Sequence, residues 1–361
     1  MSSIYRRLYT ELCQTLFRQS SIEVAAEPLI QRVFPWFCAG FYAARVLQIK
    51  PQAGCLRLKL KVSRFFPLFT PGQHLQLRVR IAGVPATRTF SICSAVQQLH
   101  EQREIELAVK IQPQGRFTGA LTDALKPGDY VHLSAPTGEF ALQQGQPACL
   151  IAAGSGVTPL FSMLTSLSRL TAPLLFIYSY RGVSQQLFAE HWAALQAKFP
   201  LLTLVLWDSA VQGRLTPDRL FSALQPQLQG QFCLCGPIAF TRELRSALQQ
   251  KGVACAQIVA ESFGIAHSNN TDSQPALLQL GRQKHLLGGH GSLLQRAEQS
   301  GLTLRYGCRR GVCMQCLCDK SSGVVRNLLT GEVSDAGPGR IQLCISEAVS
   351  AVELSSTECI V

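Results

Sequence analysis

The hydrophobic pattern of this chain changes near residue 146, and that change constrains the fold more than any other feature. Before it, runs such as CLRLKLKV and HLQLRVRI alternate apolar and polar residues between turn sequences. These runs predict an antiparallel β-barrel. After it, apolar strands such as ACLIAA and LLFIYSY alternate with helical stretches, including PLFSMLTSLSRL and residues 186–198. That order predicts a parallel, doubly wound α/β sheet.

The length of the chain predicts a multidomain protein. Its 361 residues, at about 150 residues per domain, leave room for two or three domains. The small polar run AHSNNTDSQP predicts a linker in front of a further domain. The predicted segments are a helical leader at 1–37, the β-barrel at 38–145, the α/β domain at 146–265, the linker at 266–275 and a third domain at 276–361.

The leader contains a predicted amphipathic helix, in which residues 4–17 place their apolar side chains on one stripe. Two interpretations stay open: the stripe packs on the protein, or it lies in a membrane interface. The sequence has neither a secretory signal nor an apolar run of about 18 residues. We therefore expect a cytoplasmic protein, with a peripheral position on the inner face of the membrane as the alternative.

The charge of the chain favours an anionic partner. The formal net charge is +12, which suits nucleic acid, an acidic protein or an acidic bilayer. No run of five basic residues and no nucleic-acid-binding motif is present, so we expect no nucleic-acid partner. The 14 cysteines, in a chain without a secretory signal, predict a metal or redox role rather than a disulfide framework.

The stretch YGCRRGVCMQCLC contains the densest group of cysteines. Cys308, Cys313 and Cys316 have the Cys-x4-Cys-x2-Cys spacing of a plant-type [2Fe–2S] loop, which needs a distant fourth thiolate. Gly307 and Gly311 bracket this loop where the backbone must come close to the cluster. The alternative is a structural zinc site, although zinc sites usually pair two short cysteine knuckles.

The fourth cluster ligand has two later candidates, Cys344 and Cys359. Cys344 ends the apolar run IQLC, which can return as a strand beside the loop, whereas Cys359 lies near the end of the sequence. We therefore predict Cys344 as the fourth ligand. Cys318 lies two residues beyond Cys316, and we interpret it as a cysteine that does not bind the metal.

Four short motifs suit nucleotide ligands. RTFS at 88–91 offers a cation, an aromatic ring and a hydroxyl group, which a flavin requires. GRFTGAL at 115–121 predicts a glycine turn before a helix, a place for a pyrophosphate. GSGVTP at 154–159 follows an apolar strand, and CGP at 235–237 ends another. Both positions are where open α/β sheets bind dinucleotides.

With ESFG at 261–264, the order of these motifs resembles the ferredoxin–NADP reductase superfamily over about residues 40–265. In the run GSLLQRAEQSGLTLRYGC, Leu293, Leu294 and Ala297 have helical spacing before a stop at Gly301, which predicts a helix. This run and the cysteine loop resemble a plant-type ferredoxin domain of α+β (β-grasp) fold over residues 276–361. The resemblance implies an NAD(P)H oxidoreductase with an FAD-binding barrel, an NAD(P)-binding α/β domain and a [2Fe–2S] domain. FMN is the alternative flavin.

The resemblance also implies roles for single residues. The implied flavin contacts are Arg88 at the phosphate, Thr89, Phe90 and Ser91 near the isoalloxazine, and Gly115, Phe117 and Thr118 near the pyrophosphate. The implied nucleotide contacts are Gly154, Gly156, Thr158, Arg181, Cys235, Gly236 and Pro237. The implied catalytic residues, beside the flavin and nicotinamide rings, are Ser91, Cys235, Glu261 and Phe263.

The strand LLFIYSY is followed by Arg181 and carries no Asp or Glu that could bind a ribose 2′-hydroxyl. This favours NADPH over NADH, with Arg181 pairing the 2′-phosphate. The alternative is that Arg181 is a solvated loop residue.

The order of the domains, the helical leader and the stretches GVVRNLLTGEVS and IQLCIS resemble the reductases of membrane fatty-acid desaturases. This implies transfer of electrons from NADPH through FAD and the cluster to a membrane-bound acceptor. The alternatives are a reductase for a ring-hydroxylating or epoxidising oxygenase or for a hybrid-cluster protein, and a non-enzymatic redox sensor. Arg305, Arg309 and Arg310 surround the cysteine loop and predict docking to an acidic partner surface or an anionic membrane.

Overall fold

The computed structural model describes residues 38–81, 84–112, 117–224, 230–263, 274–280 and 283–302, the single residues 304, 306, 309 and 311, and residues 315–329 and 331–356. The predicted leader and most of the predicted linker lie outside these residues. The chain divides into two compact units, Met1–Thr137 and Gly138–Val361. Among the helices that the structure describes, none is long and apolar enough to cross a membrane.

The first unit is built on a six-stranded antiparallel sheet with the strand order β4-β3-β6-β1-β2-β5. Its strands are β1 (Tyr42–Gln52), β2 (Cys55–Val62), β3 (His74–Ile81), β4 (Val84–Ser91), β5 (Glu104–Lys110) and β6 (Tyr130–Leu133), with helices α1 (Val96–Gln102) and α2 (Leu121–Ala124). A bridge between Ile92 and Leu107 joins the two ends of the strand order. The predicted antiparallel β domain is confirmed.

Alternation explains why these residues form strands with one buried face. In β2 the side chains of Leu56, Leu58 and Leu60 are fully buried, while the basic residues between them face outward. Each buried leucine contributes about 1.5–3 kcal/mol relative to an exposed one. A shift of one residue in register would turn these leucines toward solvent, so the pattern also fixes how the strands pair.

The second unit begins with a five-stranded parallel sheet of order β11-β10-β7-β8-β9. Its strands are β7 (Ala148–Ala153), β8 (Leu174–Tyr180), β9 (Leu202–Asp208), β10 (Gln231–Pro237) and β11 (Ile258–Phe263). The helices between them are α3 (Val157–Thr165), α4 (Trp192–Lys198), α5 (Ser209–Gln212), α6 (Pro217–Leu224) and α7 (Ile238–Gln250). The predicted parallel α/β sheet is confirmed.

The helix predicted at 186–198 is shorter than expected. It begins only at Trp192, after 3₁₀ turns at Val183–Gln185 and Ala189–His191. Phe188 has a left-handed backbone with φ 58°, which a continuous helix cannot include. Its ring is buried and stacks on Phe161 with 3.9 Å between the ring centroids. Burial of this ring therefore outweighs helical continuity.

The rest of the second unit is a mixed sheet of order β13-β12-β18-β14-β16 with one helix. Its strands are β12 (Ala276–Leu280), β13 (Gln283–Leu287), β14 (Leu317–Ser322), β16 (Gly339–Gln342) and β18 (Val352–Ser356), and β15 (Val325–Asn327) pairs separately with β17 (Ser346–Ala348). Helix α8 (Leu293–Gln299) begins with a capping box of Ser292 and Gln295 and buries Leu293, Leu294 and Ala297. These three residues are the ones whose spacing predicted a helix.

Candidate functional site

The RTFS motif lies on β4, where Leu75 opposes Phe90 and His74 opposes Ser91. The hydroxyl groups of Thr89 and Ser91 are buried, and neither has a hydrogen-bond partner among the described residues. A buried hydroxyl without a partner costs about 1–3 kcal/mol. These two groups therefore fit a polar ligand that would supply the missing hydrogen bonds.

A cation and two aromatic rings lie together at the same strand. The guanidinium carbon of Arg88 is 5.5 Å from the ring centroid of Phe117, and the rings of Phe90 and Phe117 are 6.1 Å apart. Arg88 also donates a hydrogen bond to the backbone oxygen of Thr87, at 2.7 Å. The cluster joins a positive charge to apolar ring faces, which suits a phosphate attached to a planar ring system.

The described part of the GRFTGAL segment is a turn that leads into a short helix. The helix that follows, α2, is one turn long and starts at Leu121, so Thr118 precedes it by a turn. The hydroxyl oxygen of Thr118 accepts a hydrogen bond from the backbone N–H of Gln112, at 3.0 Å. Gly115 lies outside the described residues. A helix follows this segment as expected, although it is only one turn long, and the pyrophosphate contact remains a prediction.

The two glycine motifs of the parallel sheet meet at the carboxyl ends of β7 and β10. Gly154–Gly156 form a 3₁₀ turn between β7 and α3, and Gly154 has φ 55°. A Cβ atom on Gly156 would lie 2.2 Å from the backbone oxygen of Cys235. A Cβ atom on Gly236 would lie 3.0 Å from the Cβ of Ala153. The two turns can pack this closely only because both positions are glycine.

This contact lies at the topological switch point of the sheet. From β7 the chain continues to β8 on one side, while β10 lies on the other side and leads away to β11. Open α/β sheets bind their ligands in the crevice at such a point, beyond the carboxyl ends of the strands. The structure thus brings the predicted GSGVTP and CGP motifs together where a dinucleotide can bind.

Two predicted contacts of the nucleotide have buried side chains. The Thr158 hydroxyl donates a hydrogen bond to the backbone oxygen of Ser155, at 2.9 Å, and so stabilises the glycine turn. Cys235 is fully buried in β10 between β7 and β11, and Pro237 ends that strand with an exposed side chain. The roles predicted for these residues remain predictions.

Glu261 and Phe263 lie on β11, the edge strand next to β10. Glu261 opposes Cys235, and Phe263 opposes Pro237 at the end of the strand. The hydroxyl groups of Thr241 on α7 and Ser262 on β11 lie 2.6 Å apart and hold the end of β11 against the helix. Both predicted residues therefore lie at the same edge of the sheet as the CGP turn.

Arg181 is exposed just beyond β8 and makes no ion pair or hydrogen bond with the described residues. The carboxylate of Asp208, which ends β9, lies nearby and was not predicted as part of the site. Its Oδ1 accepts hydrogen bonds from the backbone N–H groups of Gly182, at 2.7 Å, and Ala210, at 2.9 Å. Burial, followed by the charge of Asp208, raises the pKa of Tyr180. An Asp before Ser at the end of an apolar strand is a helix N-cap signal that could have revealed this carboxylate.

The cysteine loop is hydrogen-bonded to the end of β16, and Cys344 lies in the turn that follows this strand. The backbone N–H of Leu343 donates to the backbone oxygen of Cys316, at 3.0 Å. The side-chain amide of Gln342 donates to the backbone oxygen of Gly311, at 2.7 Å. Gly311 has φ 77°, and a Cβ atom there would lie 2.7 Å from the Cδ1 of Ile345. The run IQLC therefore returns beside the loop, but only Ile341 and Gln342 belong to a strand, and Leu343 and Cys344 lie in the turn after it. Gly307, Cys308 and Cys313 lie outside the described residues, so the ligand set remains a prediction.

Cys318 lies within β14, where it opposes Ile341 on β16. Its side chain is buried, and the thiol donates a weak hydrogen bond to the backbone oxygen of Ser355 on β18, at 3.4 Å. This environment is part of the core of the mixed sheet. It supports the interpretation of Cys318 as a structural thiol.

Arg309, one of the three predicted docking arginines, already has a paired charge. Its guanidinium donates to both carboxylate oxygens of Glu298 on α8, at 2.9 and 2.5 Å, and lies 3.9 Å from the ring centroid of Tyr306. A bidentate pair of this kind is strong and orients the loop on the helix. Arg309 is therefore not an unpaired docking charge, while Arg305 and Arg310 lie outside the described residues.

Comparison with known proteins agrees with this architecture. Residues 46–142 match the model of the oxidoreductase FAD-binding domain. The ferredoxin reductase component of 3-ketosteroid-9-alpha-monooxygenase from Mycolicibacterium smegmatis is 30% identical over 314 residues, which cover 80% of this chain and 88% of that protein. The chain belongs to the ferredoxin–NADP reductase-like family of FAD-binding oxidoreductases.

Further similarities lie within this family. A protein named NADPH oxidoreductase from Mycobacterium tuberculosis is 28% identical over 285 residues, covering 78% of this chain and 74% of that one. The solved structure of phthalate dioxygenase reductase has the same fold, with a TM-score of 0.61 and 22% identity over 88% of this chain and 98% of the other. The predicted enzyme class, an oxidoreductase, is confirmed.

Proposed function

We propose that this oxidoreductase is the NADPH-dependent reductase component of an oxygenase system, with FAD and a [2Fe–2S] cluster as its cofactors. The observation that carries the proposal is the attachment of Gln342 and Leu343, directly before Cys344, to the cysteine loop at Gly311 and Cys316. This attachment supports Cys344 as the distant fourth thiolate that the loop spacing would require. A cluster in the same chain as a flavin and a dinucleotide site provides an outlet for single electrons.

The first unit would hold the flavin. The buried hydroxyl groups of Thr89 and Ser91 would gain the hydrogen bonds that they lack, and Arg88 would neutralise a phosphate beside the ring of Phe117. The FAD, when bound, would supply acceptance of a hydride from NADPH and release of single electrons to the cluster. The contribution of the chain is to bind and orient these groups.

The nucleotide would bind beyond the carboxyl ends of β7 and β10. The glycine turns at Gly156 and Gly236 let backbone approach the ligand, and Arg181 offers an exposed cation for a 2′-phosphate. Asp208 already accepts two backbone hydrogen bonds, which leaves its Oδ1 less available to a ribose hydroxyl. These features favour NADPH over NADH.

The acceptor would be a partner oxygenase, as the name of the Mycolicibacterium relative states for that protein. A membrane fatty-acid desaturase is the narrower form of this proposal, and it rests on the resemblance of the domain order and the leader. Both acceptors take electrons one at a time, so both need the same cluster outlet.

The test is an anaerobic titration of the purified holoprotein with NADPH and with NADH. We expect both flavin and cluster absorbance to bleach with NADPH at a lower concentration than with NADH, and an electron paramagnetic resonance signal of a reduced [2Fe–2S] cluster. Cytochrome c reduction should accompany turnover. A holoprotein that contains both cofactors and fails to reduce cytochrome c with either nucleotide would instead fit the redox-sensor alternative.

A further inference from the structure

A short tip that follows β2 exposes two large apolar side chains. We define the tip as residues 64–69. In it, Phe65 is 71% exposed and Leu68 is 56% exposed. Phe66 and Phe69, by contrast, are buried in the core of the first unit. A single exposed apolar residue needs no explanation, but this pair projects from one turn of chain while its neighbours anchor that turn.

The tip is held rigidly from behind. The guanidinium of Arg103 donates to the backbone oxygens of Ser63, at 2.6 Å, and Phe66, at 2.8 Å. The backbone N–H of Phe66 donates to the oxygen of Ser63, at 3.1 Å. Because these bonds and the buried phenylalanine rings fix the turn, Phe65 and Leu68 are presented in a set direction at little further entropic cost.

Basic side chains border the tip. Lys61 lies at the end of β2 and opposes the exposed Arg45 on β1, and Lys59 faces the same side one pair further along. Arg64 lies over the ring of Phe65, with 4.7 Å between its guanidinium carbon and the centroid. We call Arg45, Lys59, Lys61 and Arg64 the basic row.

One carboxylate offsets part of this charge. Glu104 on β5 lies 2.8 Å from the Lys59 ammonium and 3.9 Å from that of Lys61. Four cations against one carboxylate leave an excess of three positive charges beside the two exposed apolar side chains. Arg45 also pairs with Tyr130 on β6, the other neighbour of β1. The ring of Tyr130 is exposed and amphipathic, which suits a membrane interface.

We propose that the tip and the basic row form a membrane-binding surface, which inserts Phe65 and Leu68 into the interface of an anionic bilayer. Peripheral proteins bind such bilayers by combining buried apolar area with basic residues near the lipid headgroups. Arg64 and Lys61 have long apolar stems that let their charges reach phosphates while the tip inserts. An acidic protein is the weaker candidate, because a specific interface needs about 1,000 Å² of complementary surface and the tip is two side chains wide.

The surface belongs to the first unit alone and does not depend on the cofactors or on the nucleotide specificity proposed above. It is also distinct from the predicted amphipathic helix at residues 4–17, which lies outside the described residues. The two sites can be separated by variants.

The experiment is co-sedimentation of the full-length holoprotein with vesicles of phosphatidylcholine alone or with about one third phosphatidylglycerol. We expect binding to the anionic vesicles to be at least about tenfold tighter and to weaken in high salt. The double variant F65S/L68S should lose about tenfold or more in partitioning, since two apolar side chains no longer insert. Replacing Arg45 and Lys61 by Gln should weaken binding to anionic vesicles by about fivefold per charge.

The matched control is V183S/V211S, which removes two apolar side chains that are 73% and 82% exposed in the second unit. It should bind vesicles as the original chain does. Flavin absorbance and ferricyanide reduction should be unchanged in every variant. The proposal is overturned if the original chain ignores anionic vesicles, as it would if the tip bound only a protein partner, or if F65S/L68S binds them equally well, as it would if residues 4–17 were responsible.

A second measurement locates the contact. In a Phe65→Trp variant, we expect the fluorescence of the new indole to be quenched by brominated acyl chains in anionic vesicles, beyond any quenching of the native tryptophans. No additional quenching would mean that the tip stays out of the bilayer, and the proposal would fail.

Discussion

Ser91 and Thr89 illustrate how single residues prepare a ligand site at a cost to the empty protein. Both hydroxyl groups are buried without a partner among the described residues, which disfavours the fold by about 1–3 kcal/mol each. Gly156 is constrained by size rather than by polarity, since any side chain there would collide with the backbone of Cys235. A ligand site can thus be recognised by residues whose polarity or size does not serve the stability of the fold.

Replacing Ser91 by Ala should therefore leave the flavin-free protein at least as stable, while it weakens the binding of FAD. Without flavin, the free energy of unfolding should stay the same or rise by up to about 1 kcal/mol, because an unsatisfied hydroxyl is removed. FAD affinity should fall by about tenfold. Urea unfolding of the flavin-free protein and fluorescence titration with FAD measure the two effects. Ser134→Ala is a control, since its hydroxyl bonds to backbone within the same unit. A flavin-free Ser91→Ala protein that is clearly less stable would contradict the interpretation.

The pairing of β14 with β16 brings Cys344 close to the cysteine loop, which is distant in the sequence. Leu317 opposes Gln342, and this register continues into the Leu343 to Cys316 hydrogen bond that brings Cys344 to the cysteine loop. Cys318 lies in the same strand but in the core of the sheet, where its thiol reaches Ser355. The structure thus separates Cys318, which lies in the core of the sheet, from Cys344, which follows the residue bonded to the cysteine loop.

Replacing Cys344 by Ser should abolish the visible absorbance and paramagnetic signal of the [2Fe–2S] cluster, because a hydroxyl replaces the fourth thiolate. The matched variant Cys318→Ser should keep the cluster and lose about 1–2 kcal/mol of stability at most, since a buried thiol becomes a more polar group. Spectra per mole of protein and thermal unfolding give both results. Loss of the cluster in Cys318→Ser with retention in Cys344→Ser would reverse the assignment.

Within the second unit, one contact joins the nucleotide-binding sheet to the part that carries the cysteines. Arg242 on α7 donates a hydrogen bond to the backbone oxygen of Leu328, at 2.5 Å. The N–H of Leu328 donates in turn to the oxygen of Ile345, the residue after Cys344. Helix α7 begins directly after the CGP turn, so this path links the dinucleotide edge to the proposed cluster.

Replacing Arg242 by Ala should slow the passage of electrons to the cluster while leaving flavin reduction unchanged. We expect cytochrome c reduction to fall by about three- to tenfold, since a charge-assisted hydrogen bond is worth about 1.5–3 kcal/mol and this arginine is partly exposed. Ferricyanide reduction, which needs only the flavin, reports the step that should not change. Arg245→Ala is the control, because its guanidinium on the same helix contacts Cys255 instead. Equal losses with both acceptors would indicate general damage rather than a positioning role.

Much of the architecture followed from local patterns. Alternation in β2 and continuous apolar runs in β7 and β8 predicted strands of the correct type, since the periods 2 and 3.6 are properties of a single segment. The helix before the cysteine loop was also predicted from its spacing. The prediction at 186–198 was too long, because the stacking of Phe188 on Phe161 lies beyond any local pattern.

The sequence by itself determined most of the strands and helices, the order of the motifs and the spacing of the cysteines. Tertiary structure alone decided that Gly156 meets Cys235, that Arg309 pairs with Glu298, and that Phe65 is exposed while Phe66 is buried. The physical reason is that periodicity is encoded between near neighbours, whereas packing, ion pairing and exposure depend on which distant segments the fold brings into contact.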